Sequence, residues 1–493
     1  MLSPMRRILS PRLFFFAASL LLWAAAALVA AEFYERWTAE RQVEASRAAV
    51  MQQQAALHPE LEAIATKYAG APPKPAGDFA ARDGFEALDE AARGAHANSR
   101  GEAVLLLDAS GTLRQVYAPE QPAAVAAFAS AITPGTALTD RLSDEPAADF
   151  RNTLPQVLSG GGTQLRDYPV AMPDGGEEVL QFAFVPLHNS GEAVACAFVR
   201  LSMWKELWVS FRPNVRQDDA YTFSTNALGW RDGEVTLPKP EGVFRIVCIG
   251  GSTTAEGPTN ALTYPKLLEQ MLRARYGAGR IEVINAGVFA SNAHTEMERL
   301  DQYLALEPDL VVHYNVVNDI TMLLPDWLNE GRATWQRALA VSHLAYNRFN
   351  TLLLPPEDFL AQQLRTAVMM PLDKLAQGIT AGGAAVAFAS FGAPDYAALS
   401  SHEKAFFDAN INNMLWGRNV NMAGYTRVVS LYNHLLQQFC DENGYAFLPV
   451  ADRITGGADI YTDICHMNLK GMERKAQAFA DLLAPLVDEA LAP

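Results

Sequence analysis

The sequence predicts an α/β protein, a three-layer domain built on a mostly parallel sheet, preceded by a transmembrane helix and a smaller α+β domain. Three observations carry that expectation. From Phe244 onward, apolar runs of strand length alternate with longer amphipathic stretches, the pattern of a parallel sheet covered on both faces. Residues Leu13 to Ala31 form 19 consecutive positions without a charge. Between about Asp78 and Met203, short apolar runs are punctuated by Gly-containing turns.

With 493 residues, half of them hydrophobic, the chain suffices for two or three domains, each with a core of its own. The formal net charge is -16, and no stripe of Lys and Arg interrupts it, which excludes a dominant interaction with nucleic acid. Five segments are expected. Residues 1–31 are a tip and membrane anchor, 32–77 a helical stalk and linker, 78–203 an α+β domain, 204–243 a linker, and 244–493 the α/β domain.

Nineteen apolar residues can cross a hydrocarbon core of roughly 30 Å at about 1.5 Å per helical residue. Arg6, Arg7 and Arg12 precede the run and Glu32 follows it. That asymmetry places the N-terminus in the cytoplasm and the rest outside, as in a single-pass inner-membrane protein with a periplasmic body. A signal peptide cleaved after Val29-Ala30-Ala31 is the alternative, and both readings put the body outside the cytoplasm.

Glu32 to about Ala69 reads as a polar helix in which Val43, Val50, Leu57 and Ile64 recur every seventh position, with a kink expected at Pro59. It is either a stalk or a helix packed on the next domain, and the two are compatible. Gly70 to Gly77 is a turn-rich break. Ala103 to Asp108 and Thr112 to Tyr117 then read as strands joined at Gly111, and Glu178 to Pro186 and Ala193 to Leu201 as two more. Behind an anchor, this order loosely resembles extracytoplasmic PAS-like or Cache-like sensor domains. The resemblance carries no binding motif, so a ligand-free spacer stands beside it.

In the last segment strands are expected at Phe244–Ile249, Ile281–Asn285, Asp309–Tyr314, Gly383–Ser390 and Tyr445–Pro449. Helices are expected near Tyr264–Tyr276, Thr295–Leu306, Thr426–Glu442 and Leu469–Leu491. Ligands of such sheets bind at the carboxyl ends of the strands. Ser252 follows the first strand, Gly287 the second and Asn318 the third, while Asp463 and His466 precede the last helix.

Four blocks, Gly250-Gly251-Ser252-Thr253, Asn285-Ala286-Gly287, Val316-Val317-Asn318-Asp319 and Asp463-Ile464-Cys465-His466, resemble those of the SGNH, or GDSL-type, hydrolases, which have a flavodoxin-like architecture. The resemblance runs from about Thr222 to Val487. It implies Ser252 as nucleophile, His466 as general base and Asp463 as the group orienting His466. It further implies an oxyanion hole made by the N–H groups of Ser252 and Gly287 and the side-chain amide of Asn318. The stretches Asn226 to Arg231 and Lys239 to Arg245 also resemble the lead-in of membrane-anchored bacterial members. Two positions depart from the pattern: Gly251 replaces the acidic residue of the signature, and Val316 stands where many members have glycine, which bears on how closely a substrate can approach Asn318.

These roles are chemically coherent without the family. A serine hydroxyl is a weak nucleophile until an imidazole accepts its proton, so activity is expected to rise with pH near 6.5 unless the site shifts the base. A carboxylate holds the imidazole tautomer, and amide donors stabilise the developing oxyanion. No cofactor and no metal are called for. Cys196, Cys248, Cys440 and Cys465 lack the paired spacing of a zinc site or a disulfide scaffold. A catalytic thiol at Cys465 is the lesser alternative, since Ser252 and His466 already account for both segments and a one-residue neighbour is expected to point away from the histidine. His294, His313 and His402 are expected to be structural or exposed. The insertion from Thr321 to Ala381, with Met322, Leu323, Leu324, Trp327, Trp335, Tyr346 and Phe349, is either a wall of the pocket or helices packed on the sheet.

The expected function is a membrane-anchored, extracytoplasmic serine esterase that removes an acyl group, such as acetyl, from a glycan or lipid-like ester. An O-acyltransferase using the same serine is one alternative, and a non-enzymatic sensor or assembly protein with a degenerate hydrolase domain is another. The sequence leaves oligomeric state open.

Overall fold

A computed structural model describes residues 11–70, 97, 101–159, 163–187, 194–218, 222–415, 417 and 419–492. The expected cytoplasmic tip, most of the Gly70–Gly77 break, the start of the α+β domain and the turn between its last two strands lie outside these residues. The chain divides into two compact units. One comprises Met1–Ile64, Asn292–Leu300 and Val312–Pro493, and the other Ala65–Ser291 and Asp301–Val311.

The second of these units opens with an antiparallel sheet of β1 (Ala103–Leu107), β2 (Leu113–Tyr117), β3 (Gln164–Ala171), β4 (Glu177–Leu187) and β5 (Val194–Leu201), in the order β2-β1-β5-β4-β3. The β1–β2 turn forms because the Asp108 carboxylate accepts the N–H groups of Ser110 and Thr112. Gly111 takes φ +81°, and a Cβ there would meet the Phe150 ring at 2.6 Å. Leu105, Leu107, Leu180, Phe182, Ala197 and Val199 bury one face under the helices Ala123–Ser130 and Asp144–Leu158, which contribute Phe128 and Phe150. Val104, Ala183, Cys196 and Phe198 bury the other face. Strand β3 was absent from the sequence expectation, since Gln164-Leu-Arg-Asp carries charge and no clean alternation. It is an edge strand, where Pro169 and half-exposed polar residues are tolerated.

The stretch expected to be a linker forms two hairpins, β6 (Trp204–Glu206) with β7 (Ser210–Phe211) and β8 (Arg216–Asp218) with β9 (Thr222–Ser224). Strands of two or three residues are too short for periodicity to register. Trp204, Phe211, Phe223 and Phe289 form their aromatic core. Strand β10 (Phe244–Gly250) then pairs in parallel with β11 (Ile281–Gly287), bridged by the helix Tyr264–Tyr276.

Strand β12 (Leu310–Tyr314) follows, and β13 (Ala385–Ala389) pairs in parallel with β14 (Ala446–Leu448). The five-stranded sheet runs β11-β10-β12-β13-β14. Every residue of β12 is buried, which is why the strand reads as one apolar run. The expected helix at 295–306 is two short ones, Ala293–Glu298 and Leu300–Leu304, the first capped by Asn292, which accepts from His294 and Thr295.

In the first unit the insertion is helical, with Val317–Gly331, Thr334–Ala340, His343–Phe349, Glu357–Leu364 and Met370–Ala381. Leu324, Trp327 and Tyr346 are buried, whereas Met322, Trp335 and Phe349 are more than half exposed. The N-terminal helix Pro11–Ala56 is followed by His58–Ala69, so the chain breaks at Leu57 and Pro59 sits at the second helix's start, where its missing N–H costs nothing. Of the heptad positions, Val50 and Ile64 are buried and Val43 is exposed. The long helix packs on Ser401–Met414 and His343–Phe349. Its Glu32 carboxylate caps the latter from outside, accepting the N–H of His343 at 2.6 Å, that of Leu344 at 3.1 Å and the Ser342 hydroxyl at 2.7 Å. Those donors hold the Glu32 pKa down at about 2, against the desolvation that raises it. Nearby Glu35 pairs with Arg348 at 2.9 Å.

The expected anchor, Leu13–Ala31, lies in this helix. Among the described residues no helix is long and apolar enough to cross a membrane, so the transmembrane part of the expected fold finds no support there. Glu32→Ala should lower unfolding stability by about 1 kcal/mol, the usual worth of a helix N-cap, read from the urea midpoint.

Candidate active site

The expected site residues fall into two groups, one in each compact unit. Ser252 and Gly287 belong to the unit that holds β10 and β11. Strand β10 ends at Gly250, Gly251 serves as N-cap, and Ser252 is the first residue of the short helix Ser252–Ala255. Ser252 is half-buried, while Thr253, Thr254 and Ala255 after it are buried.

Strand β11 sets the other side of this turn. Gly250 lies opposite Gly287 in the parallel register. A Cβ on Gly287 would meet the Ala255 nitrogen at 2.7 Å and the Thr254 Cβ at 2.8 Å, so only glycine lets the strand end approach the serine-bearing helix. The Gly287 N–H, expected to face an oxyanion, donates instead to Asn285 Oδ1 at 3.1 Å. The Asn285 N–H in turn donates to Asp232 Oδ2 at 2.7 Å.

Behind this strand end lies a buried charge network that the sequence reading missed. Lys266 contacts Asp232 at 3.0 Å and Glu269 at 2.8 Å, and Arg273 meets Glu269 at 3.0 Å. Desolvation pushes the Asp232 carboxyl up, opposed by Lys266 and the Asn285 N–H. Arg231, also buried, donates to the carbonyls of Ala255, Thr222 and Gly257 and to Asn260 Oδ1. A guanidinium at the carboxyl end of the serine-bearing helix satisfies carbonyls the helix leaves open. The available signal was the Arg231-Asp232 pair itself, two charges ending a stretch otherwise rich in turn residues. Cys248, in β10, has its thiol pushed up to about 12 by burial and is inert.

Asn318, Asp463 and His466 belong to the other unit. His466 Nδ1 and Asp463 Oδ2 are 2.6 Å apart. Asp463 Oδ1 accepts the N–H groups of Cys465 at 2.8 Å and His466 at 2.7 Å, so one carboxylate both folds the loop and holds the ring. Thr462 N–H to the His466 carbonyl and Asn468 N–H to the Ile460 carbonyl brace the loop on either side. Asn468, two residues beyond His466, is the cap of the helix Leu469–Ala490, which frees Asp463 from that duty. Desolvation raises the Asp463 pKa, but the His466 contact and the two N–H donors outweigh it and hold the group at about 2. For His466 desolvation favours the neutral ring, yet its contacts with Cys465 and Asp463 outweigh that and carry its pKa well above 6.5. The side chains of Asp463 and His466 keep 29 % and 31 % of their surface exposed, so the pair is open to a ligand. The donor atoms of Asp463, Cys465 and His466 all lie within 4.8 Å of one another.

Asn318 is the second residue of the helix Val317–Gly331 and is half-buried. Its N-cap is Val316, with φ 179° and ψ -14°, extended about φ, so the backbone does not demand the glycine that many related blocks carry. The next residue, Asp319, accepts the Ala293 N–H at 3.0 Å and ties the helix start to a neighbouring loop. His313 is buried and pairs with Glu296 at 2.8 Å, and Glu296 also accepts from Asn315 at 2.8 Å. His313 is thus structural, as expected. His294 is exposed, and His402 meets the Ser46 hydroxyl at 3.2 Å.

No protein-family model matches the sequence, and no curated protein matches it. Solved structures do. A metagenomic α/β hydrolase from Lake Arreo, LAE5, is 17 % identical with a TM-score of 0.30, over 49 % of this chain and 96 % of that one. A mutant of Axe2, an acetyl-xylooligosaccharide esterase from Geobacillus stearothermophilus, is 16 % identical with a TM-score of 0.30, over 50 % and 96 %. A member of the lipolytic G-D-S-L family from Veillonella parvula is 11 % identical with a TM-score of 0.30, over 49 % and 99 %.

Two outcomes are expected from this geometry. Gly287→Ala should destabilise the protein by about 1–3 kcal/mol, the usual cost of overpacking, seen as a lower denaturant midpoint. If His466 is the base, it works only when neutral, and its raised pKa moves the rise of kcat/KM to a pH above 6.5. Activity is then lost as pH falls through that raised value, which a pH–rate profile will show.

Proposed function

We propose that the chain is a serine esterase in which Ser252 attacks the ester carbonyl and His466 takes its proton. Asp463 holds the ring with its proton on Nδ1 and stabilises the imidazolium, which later protonates the leaving alkoxide. Water then repeats the sequence on the acyl-enzyme, releasing the acid. The observation that carries the reading is the 2.6 Å Asp463–His466 bond, on a loop whose backbone locks the carboxylate in place. The placement of Ser252 at the first position of a helix supports it, because the helix N-terminus favours the alkoxide and the developing oxyanion.

Oxyanion donors in this reading are the Ser252 N–H and the Asn318 side-chain amide. The Gly287 N–H, engaged with Asn285 Oδ1, is not counted among them. An acyl group as small as acetyl, on a glycan or a lipid-like alcohol, is the substrate class proposed. The membrane anchor at Leu13–Ala31 and a body outside the cytoplasm belong to the same proposal, supported by the arginines ahead of that run.

A fluorophosphonate should label Ser252 covalently in the folded protein, and aryl acetates should be turned over. Ser252→Ala should abolish both, and His466→Ala should abolish turnover, with circular dichroism unchanged. Asn318→Ala should lower kcat by about 10²- to 10³-fold, the usual cost of one oxyanion donor. Turnover persisting in Ser252→Ala would overturn the mechanism.

A further inference from the structure

One side chain in the His466 loop has no part in that mechanism. Cys465 lies between Asp463 and His466 in sequence and is 1 % exposed, and its sulfur is 3.5 Å from His466 Nδ1. The same ring nitrogen is 2.6 Å from Asp463 Oδ2. A thiol, an imidazole nitrogen and a carboxylate oxygen thus converge within 4.8 Å, the mixed donor set that suits a borderline-soft cation. Tyr425 is wholly buried, its hydroxyl has no hydrogen-bond partner among the described residues, and burial first, then Cys465 and Asp463, push its phenol up.

We propose that Asp463, Cys465 and His466 form a three-ligand site for a thiophilic divalent cation of the zinc class, and that its occupancy silences the base. This rests on the esterase reading for its consequence, but not for the binding itself. Tetrahedral zinc with bonds of about 2.3 Å to sulfur and about 2.05 Å to nitrogen sets the two donors roughly 3.6 Å apart. The observed Sγ to Nδ1 distance of 3.5 Å already meets that. The nitrogen and the carboxylate oxygen should stand roughly 3.4 Å apart around such an ion. From 2.6 Å, Asp463 Oδ2 must therefore withdraw by roughly 0.8 Å. The exposed side of the Asp463–His466 pair leaves the fourth position to water.

The position of the ring proton makes the site inhibitory. The working base has its proton on Nδ1 and a lone pair on Nε2. When the cation takes Nδ1, the thiol releases its proton to solvent and the ring's single proton moves to Nε2. Nε2 then only donates, and the serine proton has no acceptor. The spacing of the cysteines could not show this, because a site closed by one cysteine has no paired Cys pattern.

The test uses the full chain and cadmium as probe. Titration should raise one cadmium–thiolate charge-transfer band in the ultraviolet, reversed by a chelator, and cadmium NMR of the unmodified protein should report a single sulfur ligand with nitrogen and oxygen. Cys465→Ser should lose the band, and zinc inhibition of aryl-acetate turnover, measured against each protein's own metal-free rate, should weaken by more than about 10-fold. A band undiminished in Cys465→Ser, or a cadmium resonance showing oxygen ligands alone, overturns the proposal. If Cys465→Ser does not fold, the resonance of the unmodified protein decides. A bound cadmium with the expected resonance in a protein without esterase turnover would leave the site standing and remove only the esterase reading.

Discussion

The carboxylate of Asp463 is the constraint on which the His466 side of the candidate site depends. One oxygen collects two backbone N–H groups and the other holds the imidazole. Charged hydrogen bonds of this kind are about twice as strong as neutral ones. They offset the desolvation of a partly buried acid, and the loop conformation and ring orientation become a single event. Removing the charge would release both together, which is why a carboxylate serves here and an apolar residue of the same shape could not.

The Ser252 side depends on a different set of contacts. Half-buried Ser252 sits on a helix of only four residues, Ser252–Ala255, too short to be stable by itself. The surroundings supply what the helix lacks. Gly287 admits the end of β11 against Thr254 and Ala255, and Arg231 covers the open carbonyls. Asp232 then ties the register of β11 to a lysine–glutamate network. Buried ion pairs of this sort contribute less to net stability than to fixing one arrangement, because desolvation cancels much of the attraction.

Much of the α/β segment was legible because its strands are buried on both faces and its helices carry long amphipathic patterns. The helix Tyr264–Tyr276 falls at its expected bounds, and β10 and β12 differ from expectation by one residue at an end. Edge strand β3 and hairpins β6 to β9 were not legible, since their residues are held by neighbours rather than by their own periodicity. The helix expected over 295–306 breaks at Arg299, and no glycine or proline marks the spot. Residues 32–69 were expected to be a stalk or to pack on the next domain, whereas Glu32, Glu35 and Ser46 find their partners more than 300 residues away, at Ser342, Arg348 and His402.

By itself the sequence determined which residues can do acyl-transfer chemistry, with Ser252, Gly287 and Asn318 after strands and Asp463 and His466 before the last helix, because side-chain type and hydrophobic period are local properties. Only the tertiary structure decided that Asp463 bonds to His466, that Gly287 commits its N–H to Asn285, and that Cys465 faces the same ring nitrogen. Those facts depend on distances of a few tenths of an ångström between groups whose directions are set by loop closure and packing, and no pattern along a chain encodes a direction in space.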